Sequence, residues 1–177
     1  MASDVRDDRG LWRKALITVP TIVIVGALIG LASNNGFANA WYAPLQKPGF
    51  QPPGWAFEAM WTTLYTMMGI ALAAILNAPE SKPRSRSLVL FFVQLALNFA
   101  WSPIFFGGGM IDVAFLVILA IDVLVIMTII AFWKVRPLAG ALLLPYLAWL
   151  CVATALNLET GRLNPGADRA PLGMTGA

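Results

Sequence analysis

Apolar residues occur in five long runs separated by shorter polar segments, and this pattern predicts membrane spans. The runs cover residues 16–32, 55–77, 88–106, 111–132 and 138–158. Each can cross a hydrocarbon core about 30 Å thick, which takes about 20 apolar residues in a helix. Runs such as 115–119 lack the alternation of barrel strands, so the backbone must satisfy its own hydrogen bonds as helices. The sequence predicts an all-α integral membrane protein, a bundle of five transmembrane helices.

The segments between the runs divide the rest of the chain. Residues 1–15 form a polar N-terminal segment, residues 16–158 the predicted membrane domain, and residues 159–177 a polar C-terminal tail that we expect to be mobile. Residues 33–54 are the one long loop, rich in Gly, Pro, Asn and aromatic residues. The first run is too long for the apolar core of a signal peptide and has no small-x-small cleavage pattern after it. We interpret it as a retained span.

The amino-acid composition excludes several classes of protein and of catalytic or metal site. Of 177 residues 59% are hydrophobic and only 12% are charged, whereas a soluble domain carries about a quarter charged residues, so a water-soluble enzyme is excluded. The sequence has no His and one Cys, Cys151, which we interpret as a packing residue. This excludes Ser-His-Asp and Cys-His catalysis, His-ligated haem or zinc, and an internal disulfide. Seven Trp residues in so short a chain are the one excess that points to function.

The distribution of basic residues predicts the orientation. With five spans, nine Lys and Arg residues share one side: Arg6, Arg9, Arg13, Lys14, Lys82, Arg84, Arg86, Lys134 and Arg136. The other side has three: Lys47, Arg162 and Arg169. The positive-inside rule then places the N-terminus in the cytoplasm and the long loop and C-terminus outside. The pI of about 9.4 reflects this asymmetry and does not indicate nucleic acid binding.

Three predicted helix faces carry most of the aromatic and amide side chains within the spans. The second span contributes Phe57, Trp61, Tyr65 and Met68; the third Gln94, Asn98, Trp101 and Phe105; and the fifth Tyr146, Trp149, Ala153, Leu156 and Asn157. Because amides are costly in lipid without partners, these faces should point inward and line a cavity with aromatic walls. The alternative is that the amides join helices and the Trp residues form interfacial belts, which we favour for Trp41, Trp55 and Trp133 but not for Trp61 and Trp149.

Two acidic residues within the spans have different expected roles. Asp112 lies at the start of the fourth span, where a carboxylate complements a helix N-terminus. Asp122 lies near mid-span, where it is either a functional acid or a protonated group bonded to Gln94, Asn98 or Asn157.

Glycines and prolines within the spans predict where helices pack closely and where they bend. Gly26 and Gly30 allow close helix packing, either within the bundle or between two protomers. Pro20, Pro103 and Pro145 lie inside spans and predict kinks that open a cleft.

Three motifs point to a known family. The first is Trp41-Tyr42-x-x-Leu45-x-Lys47-Pro48-x-x-x-Pro52-Pro53-x-Trp55-x-Phe57-x-x-x-Trp61-x-x-Leu64-Tyr65. The second is Gln94-Leu95-x-Leu97-Asn98-x-x-Trp101-x-Pro103-Ile104-Phe105-Phe106-Gly107, and the third is Pro145-Tyr146-Leu147-x-Trp149-x-x-x-Ala153-x-x-Leu156-Asn157. Together they resemble the signature of the TspO/MBR family, the tryptophan-rich sensory proteins akin to the mitochondrial translocator protein or peripheral benzodiazepine receptor. The resemblance extends from about residue 16 to 165.

The resemblance implies a homodimeric five-helix bundle whose first loop closes a pocket. In this family the pocket binds porphyrins, notably protoporphyrin IX, and isoquinoline-carboxamide or benzodiazepine ligands. The implied ligand-binding residues, with Trp101 added from its helix face, are Tyr42, Trp61, Tyr65, Gln94, Asn98, Trp101, Tyr146, Trp149, Ala153 and Asn157. No cofactor is required beyond porphyrin as a ligand. Without His, a metal-free porphyrin or a sandwiched haem fits better than a ligated one.

The chain departs from the family pattern in three places. Glu58 stands where relatives often carry Pro, and Asp122 is not part of the pattern. The cholesterol motif of mitochondrial relatives needs a Tyr before Arg late in the fifth span, and residues 158–162 contain no aromatic residue, so cholesterol recognition is not implied.

Four functions remain open at this stage. The chain binds tetrapyrroles as a sensory or regulatory protein, or it transports them. Alternatively it degrades porphyrin in light with Trp61 and Trp149 as the candidate catalytic residues, or it is a small proton-coupled exporter that uses Asp122. No general acid–base pair supports ordinary enzymology. The charge asymmetry favours the bacterial inner membrane, although some bacterial relatives are described in the outer one.

The orientation can be tested by cysteine labelling. Lys47→Cys and Ser85→Cys, each with Cys151→Ser, should react with a membrane-impermeant maleimide from opposite sides of the membrane, with position 85 cytoplasmic. Labelling of both positions from one side would contradict the five-span topology.

Overall fold

The computed structural model of the chain describes residues 2–175, with side chains from residue 9 onward. The side chains of Asp4, Arg6, Asp7 and Asp8, part of the predicted N-terminal segment, lie outside the described residues. Within residues 2–175 the chain forms helices and no strand. The α-helices are α1 (Ala2–Ala32), α2 (Gly54–Leu76), α3 (Lys82–Ser102), α4 (Ile111–Val135), α5 (Pro137–Ala141) and α6 (Leu144–Leu163).

Five helical segments are long and apolar enough to cross a membrane, in the predicted order. They are Arg9–Ala32, Gly54–Leu76, Lys82–Gly107, Ile111–Val135 and Pro137–Leu163. Their outer surface is apolar, with Leu16 and Leu31 on α1 exposed to 76% and 77%. An apolar surface this extensive is stable against lipid but not against water. The chain is therefore a multi-pass integral membrane protein, and the predicted all-helical fold class is confirmed.

The helices extend beyond the apolar runs into their polar flanks. α1 already begins at Ala2, within the predicted polar segment, and α6 continues to Leu163. α3 begins at Lys82 rather than at residue 88, because the Ser81 hydroxyl accepts a hydrogen bond from the Arg84 N–H at 3.3 Å and caps the helix. Hydropathy marks the limits of the hydrocarbon core, whereas helical hydrogen bonding continues into the interface.

The three prolines that were predicted to kink the spans lie in different local structures. Pro20 lies inside α1, but Pro103 begins a π-helical turn, Pro103–Gly107, at the end of the third span. Pro145 lies in the first turn of α6, after the short helix α5, so the fifth span consists of two helices. A proline in a first turn removes no hydrogen bond, because that N–H has no partner within the helix.

Packing is closest between α1 and α2, and α4 lies between α3 and α6. Thr18 donates its hydroxyl to the Gly69 carbonyl oxygen at 2.7 Å, and a Cβ atom at Gly69 would lie 2.6 Å from Val19 Cα. Gly26 faces the Tyr65 ring in the same interface, and Gly30 faces Asn35. Of the two roles open for the Gly26–Gly30 face, the structure shows close packing within the chain.

The C-terminal end of α2 is stabilised by two cations from other helices. Lys14 Nζ donates to the Leu76 carbonyl oxygen at 3.1 Å, and Arg84 donates from Nε to Ile75 O at 3.1 Å and from Nη2 to Leu76 O at 3.2 Å. These bonds satisfy carbonyls that α2 leaves without helical partners, and the positive charges oppose the helix dipole. Lys14 and Arg84 therefore lie at the same end of the bundle, as the charge count requires.

The contact between α1 and α2 leads to a stability prediction. Gly69→Ala places a methyl group against the backbone of Val19, so the helices must separate, and we expect a loss of about 1–3 kcal/mol in the free energy of unfolding. Thermal unfolding in detergent, followed by circular dichroism, measures this change. Gly49→Ala is the control, because a Cβ atom there has no neighbour within 4 Å. Equal melting temperatures for the two variants would contradict the predicted contact.

Candidate functional site

Four polar side chains from three helices form a continuous hydrogen-bonded chain inside the bundle. The Tyr65 hydroxyl of α2 donates to Asn98 Oδ1 of α3 at 2.9 Å, and Asn98 Nδ2 donates to the Tyr146 hydroxyl of α6 at 2.9 Å. The Tyr146 hydroxyl in turn donates to Gln94 Oε1, one turn from Asn98 on α3, at 3.1 Å. Gln94 and Tyr146 are fully buried. The chain therefore fixes the rotation of the three helices about their axes.

Aromatic rings surround this polar chain. The Trp61 ring lies 5.4 Å from Tyr65 and 6.3 Å from Tyr146, measured between ring centroids. The Trp149 ring meets Phe57 edge to face at 5.4 Å. Trp61 and Trp149 are both half-buried and pack against the main apolar core. The predicted stripe of α2 and the predicted face of α6 thus meet in one place.

We call this group the interior site and define it by six residues: Trp61, Tyr65, Gln94, Asn98, Tyr146 and Trp149. Gln94 Nε2 and Trp149 Nε1 are buried and have no hydrogen-bond partner among the described residues. Leaving a buried donor unpaired costs about 1–3 kcal/mol, so such donors are uncommon in folded proteins. The interior site therefore contains two buried N–H donors whose hydrogen-bonding capacity is not used by the described residues.

A second group of aromatic residues lies at the end of the bundle that carries the long loop. Trp101 of α3 stacks on Phe105 at 4.9 Å with an interplanar angle of 12°. Tyr42 and Trp41 of the loop meet Phe105 edge to face at 5.8 and 5.6 Å, and Tyr42 lies 5.1 Å from Phe106. We call these five residues the outer cluster. It holds the loop against the π-helical turn.

Asn39 organises the loop in front of this cluster. Its Oδ1 accepts hydrogen bonds from the backbone N–H groups of Trp41 at 3.0 Å and Tyr42 at 2.9 Å, and its Nδ2 donates to the Phe106 carbonyl oxygen at 3.2 Å. The sequence analysis missed this residue. The available signal was an Asn two residues before the aromatic pair, the spacing at which Asn forms side-chain turns.

Lys47 closes the same turn of the loop. Its Nζ lies 4.1 Å from the centroid of the Tyr42 ring and donates to the carbonyl oxygens of Tyr42 at 2.5 Å and Leu45 at 2.7 Å. Burial lowers the pKa of Lys47. Burial also raises the pKa of Tyr42, and the hydrogen bond to Gln51 opposes that rise. Tyr42 is thus neutral at neutral pH and joins the loop through its ring and its hydroxyl.

The structure divides the predicted ligand-binding residues between these places. Tyr42 belongs to the outer cluster, and Trp101 packs against both the outer cluster and the main core. Ala153 packs against the main core. Asn157 donates to the Ile111 carbonyl oxygen at 3.1 Å and joins α6 to the start of α4, so its amide is used there rather than in the polar chain. The remaining six predicted residues are those of the interior site.

The acidic residues have partners that the sequence analysis did not identify. Asp122 Oδ2 accepts a hydrogen bond from the Thr154 hydroxyl at 2.8 Å, so the predicted partners Gln94, Asn98 and Asn157 are wrong. Asp112 lies in the first turn of α4, but its own N–H donates to Asp168 Oδ2 at 2.7 Å, and Asp168 caps the helix. The Asp112 carboxylate instead binds residues of the C-terminal segment.

That segment, which we expected to be a mobile tail, makes contacts that the sequence did not predict. α6 continues to Leu163, and residues 164–175 lie against the loop and the start of α4 through several hydrogen bonds. These bonds join residues that are far apart in the sequence, so local patterns do not predict them.

Comparison with known proteins agrees with this arrangement. The sequence model of the TspO/MBR family matches residues 17–163. The chain belongs to the TspO/MBR family. It is 37% identical over 159 residues to the tryptophan-rich protein TspO of Chlorobaculum tepidum, covering 81% of this chain and 98% of that protein. It is 38% identical over 144 residues to the human translocator protein, covering 80% and 85%.

A third TspO/MBR relative is protein CrtK of Rhodobacter capsulatus, which is 41% identical over 129 residues, covering 72% of this chain and 81% of that protein. The family resemblance read from the three motifs is confirmed. The family match ends at residue 163, so the segment 164–175 lies beyond it.

The polar chain of this TspO/MBR protein leads to a second stability prediction. Asn98→Ala removes two hydrogen bonds and leaves the buried Tyr65 hydroxyl without its acceptor, so we expect a loss of about 1–2 kcal/mol. Tyr65→Phe should cost less, because it removes only the first bond. The double variant should be less destabilised than the sum of the single variants, since both remove the same bond. Chemical unfolding in detergent measures all three, and strict additivity would contradict the observed bond.

Proposed function

We propose that this TspO/MBR protein binds a tetrapyrrole, such as protoporphyrin IX or haem, in the interior site. The observation that carries the proposal is the pair of unpaired donors, Gln94 Nε2 and Trp149 Nε1, among aromatic rings. A porphyrin offers a flat face to the rings and carboxylate oxygens to the N–H groups. Aromatic surfaces with a few polar groups are typical of small-molecule sites.

Attraction in this site comes from ring contacts and hydrogen bonds rather than ion pairs. All six residues of the interior site are uncharged side chains. Trp61 and Trp149 come from different helices and are both half-buried, so each has ring surface left to contact a ligand. This arrangement favours a ligand that is mostly apolar and broad, as a porphyrin macrocycle is. Isoquinoline-carboxamide and benzodiazepine ligands share these properties and belong to the same proposal.

The proposed role is sensory or regulatory binding, or transport. The names of two relatives describe one as a tryptophan-rich sensory protein and another as a translocator protein. A homodimer in the bacterial inner membrane, with a cytoplasmic N-terminus, completes the proposal. The three Tyr and seven Trp residues give the bound state a fluorescence signal, so binding can be measured without labels.

One observation favours a second candidate, a proton-coupled exporter. Asp122 lies near the middle of α4, and its Oδ1 is buried with no hydrogen-bond partner in the described part of the chain. An acid at membrane depth is a candidate proton site. Proton-dependent flux in liposomes that is lost in Asp122→Asn would support this function. Light-dependent bleaching of bound porphyrin that is lost in Trp149→Phe would instead support porphyrin degradation.

Tetrapyrrole binding predicts a specific effect of the two tryptophans. Removing a ring that stacks on a flat ligand costs roughly 1–3 kcal/mol by analogy with nucleobases, so Trp61→Ala and Trp149→Ala should each weaken protoporphyrin IX binding about tenfold or more. Trp149→Phe should lose less than Trp149→Ala, because it keeps a smaller aromatic ring while it removes the N–H donor. Titration of purified protein, followed by porphyrin absorbance, gives the dissociation constants.

The matched control is Trp55→Ala. Trp55 lies near the start of α2 and is 73% exposed, so its removal should leave porphyrin affinity unchanged. Asp122→Asn should also change the affinity little, since Asp122 Oδ2 accepts its hydrogen bond from Thr154 rather than from the interior site. Binding abolished by Asp122→Asn but unaffected in both Trp variants would refute the aromatic site and favour the exporter.

A further inference from the structure

Residues 164–175, which we call the strap, bind the outside of the long loop. The Gln46 N–H donates to Asn164 Oδ1 at 2.7 Å, and Asn164 Nδ2 donates back to the Gln46 carbonyl oxygen at 2.9 Å. Trp41 Nε1 donates to the Ala167 carbonyl oxygen at 3.2 Å. The long loop is therefore bonded both to the bundle, through Asn39 and the outer cluster, and to the strap, through Trp41 and Gln46.

The middle of the strap crosses to the start of α4. The Arg169 N–H donates to the Gly109 carbonyl oxygen at 3.0 Å, and the Arg169 guanidinium lies 6.0 Å from the centroid of the Trp41 ring. Asp168 accepts the Asp112 N–H at the N-terminus of α4, as described above. The strap thus joins three elements that are separate in the sequence: the loop, the turn before α4, and α4 itself.

The Asp112 carboxylate holds the far end of the strap. It has no exposed surface, and its Oδ2 accepts the N–H groups of Leu172 at 2.6 Å and Met174 at 3.0 Å. Its Oδ1 accepts the hydroxyl hydrogen of Thr175. Hydrogen bonds to a charged group are stronger than neutral ones, and a buried carboxylate without them is costly. The strap is therefore held at one end by Asn164, whose Nδ2 also donates to the Thr160 carbonyl oxygen at 2.8 Å, and at the other end by the Asp112 carboxylate.

We infer that the strap is a latch that keeps the long loop closed, and that its release sets the rate at which a ligand enters and leaves the bundle. The latch itself is independent of ligand identity, whereas the effect on ligand exchange depends on the proposed function. The strap lies beyond the family match, so this control belongs to the part of the chain that the family model does not cover.

Hydrogen exchange tests the latch without any ligand. Gly161→Ala places a methyl group where the Thr175 side chain now lies, so it should displace the strap while preserving α6. Trp41→Phe keeps the ring but removes the bond to Ala167. Both variants should speed exchange of the amides of residues 41–46 by about threefold to tenfold, because one or two hydrogen bonds no longer oppose local opening. Amides of α2 should not change.

The control is Arg162→Gln, next to Gly161. Arg162 is exposed and forms an ion pair with Glu159 at 3.8 Å within α6, so its loss should leave loop exchange unchanged. The amides of Leu172 and Met174 report whether the strap is released, and Asp112→Asn provides a third route to release. If these amides exchange faster while residues 41–46 keep the wild-type rate, the latch is refuted. If the amides of Leu172 and Met174 keep the wild-type exchange rate in all three variants, the latch is refuted as well.

Ligand kinetics test the second half of the inference. With the strap released, association and dissociation of protoporphyrin IX should both accelerate by about threefold to tenfold and leave the dissociation constant nearly unchanged, because a gate lowers the barrier in both directions. Gln46→Cys with Asn164→Cys, in a Cys151→Ser background, should slow both rates when oxidised and restore them when reduced. Unchanged rates in the released variants would refute the gating role. If the wild type does not bind protoporphyrin IX, the proposed function is refuted. The latch is then tested by the hydrogen-exchange experiment, which needs no ligand.

Discussion

A polar group buried in lipid has no water to bond with and must find its partner inside the protein. This constraint determines which helix faces meet in the bundle. Four side chains on three helices form hydrogen bonds with one another: Tyr65, Asn98, Tyr146 and Gln94. On a further helix, α1, the Thr18 hydroxyl donates to the Gly69 carbonyl oxygen of α2. Because each of these bonds allows little rotation of a helix, the aromatic side chains beside them are brought to fixed positions.

The same constraint applies to the interior site. Six buried side-chain atoms of the described residues have no hydrogen-bond partner, and two of them, Gln94 Nε2 and Trp149 Nε1, belong to this site. Both lie among rings that contribute apolar surface and little hydrogen-bonding capacity. Stability alone would favour an apolar residue in their place, since an unpaired donor destabilises the fold. The tetrapyrrole proposed above would accept hydrogen bonds from these two donors.

At the two ends of the bundle, the helix termini also have backbone groups that need hydrogen-bond partners from elsewhere in the chain. Carbonyls at the end of α2 are satisfied by Lys14 and Arg84, which belong to other helices. At the opposite end, Asp168 satisfies the start of α4, and Asn39 arranges the loop. One end is thus closed by helices that are hydrogen-bonded to one another. The other is closed by a loop and a strap, which are attached by hydrogen bonds that can break locally.

Much of this arrangement follows from the sequence, because it rests on local periodicity. The five apolar runs determine the spans. The three- and four-residue spacing within the pairs Trp61 and Tyr65, Gln94 and Asn98, and Tyr146 and Trp149 determines which faces turn inward. The family resemblance is also a property of the sequence, since its motifs are contiguous. Tyr42 and Asn157 share the motifs but lie outside the interior site, which shows that a motif specifies membership of a fold more closely than a contact.

Only the tertiary structure decided which partner each isolated polar residue uses. Asp122 bonds Thr154 rather than an amide, because the choice depends on the rotation of α4 against α6, and a single sequence does not contain that angle. The contacts between Asp112 and the strap are also set by the tertiary structure. Residues 112 and 172–175 are far apart in the chain, and the strap has no periodicity that predicts where it binds. Local spacing determined the helices and their faces, whereas bonds between distant segments were set by the folded bundle as a whole.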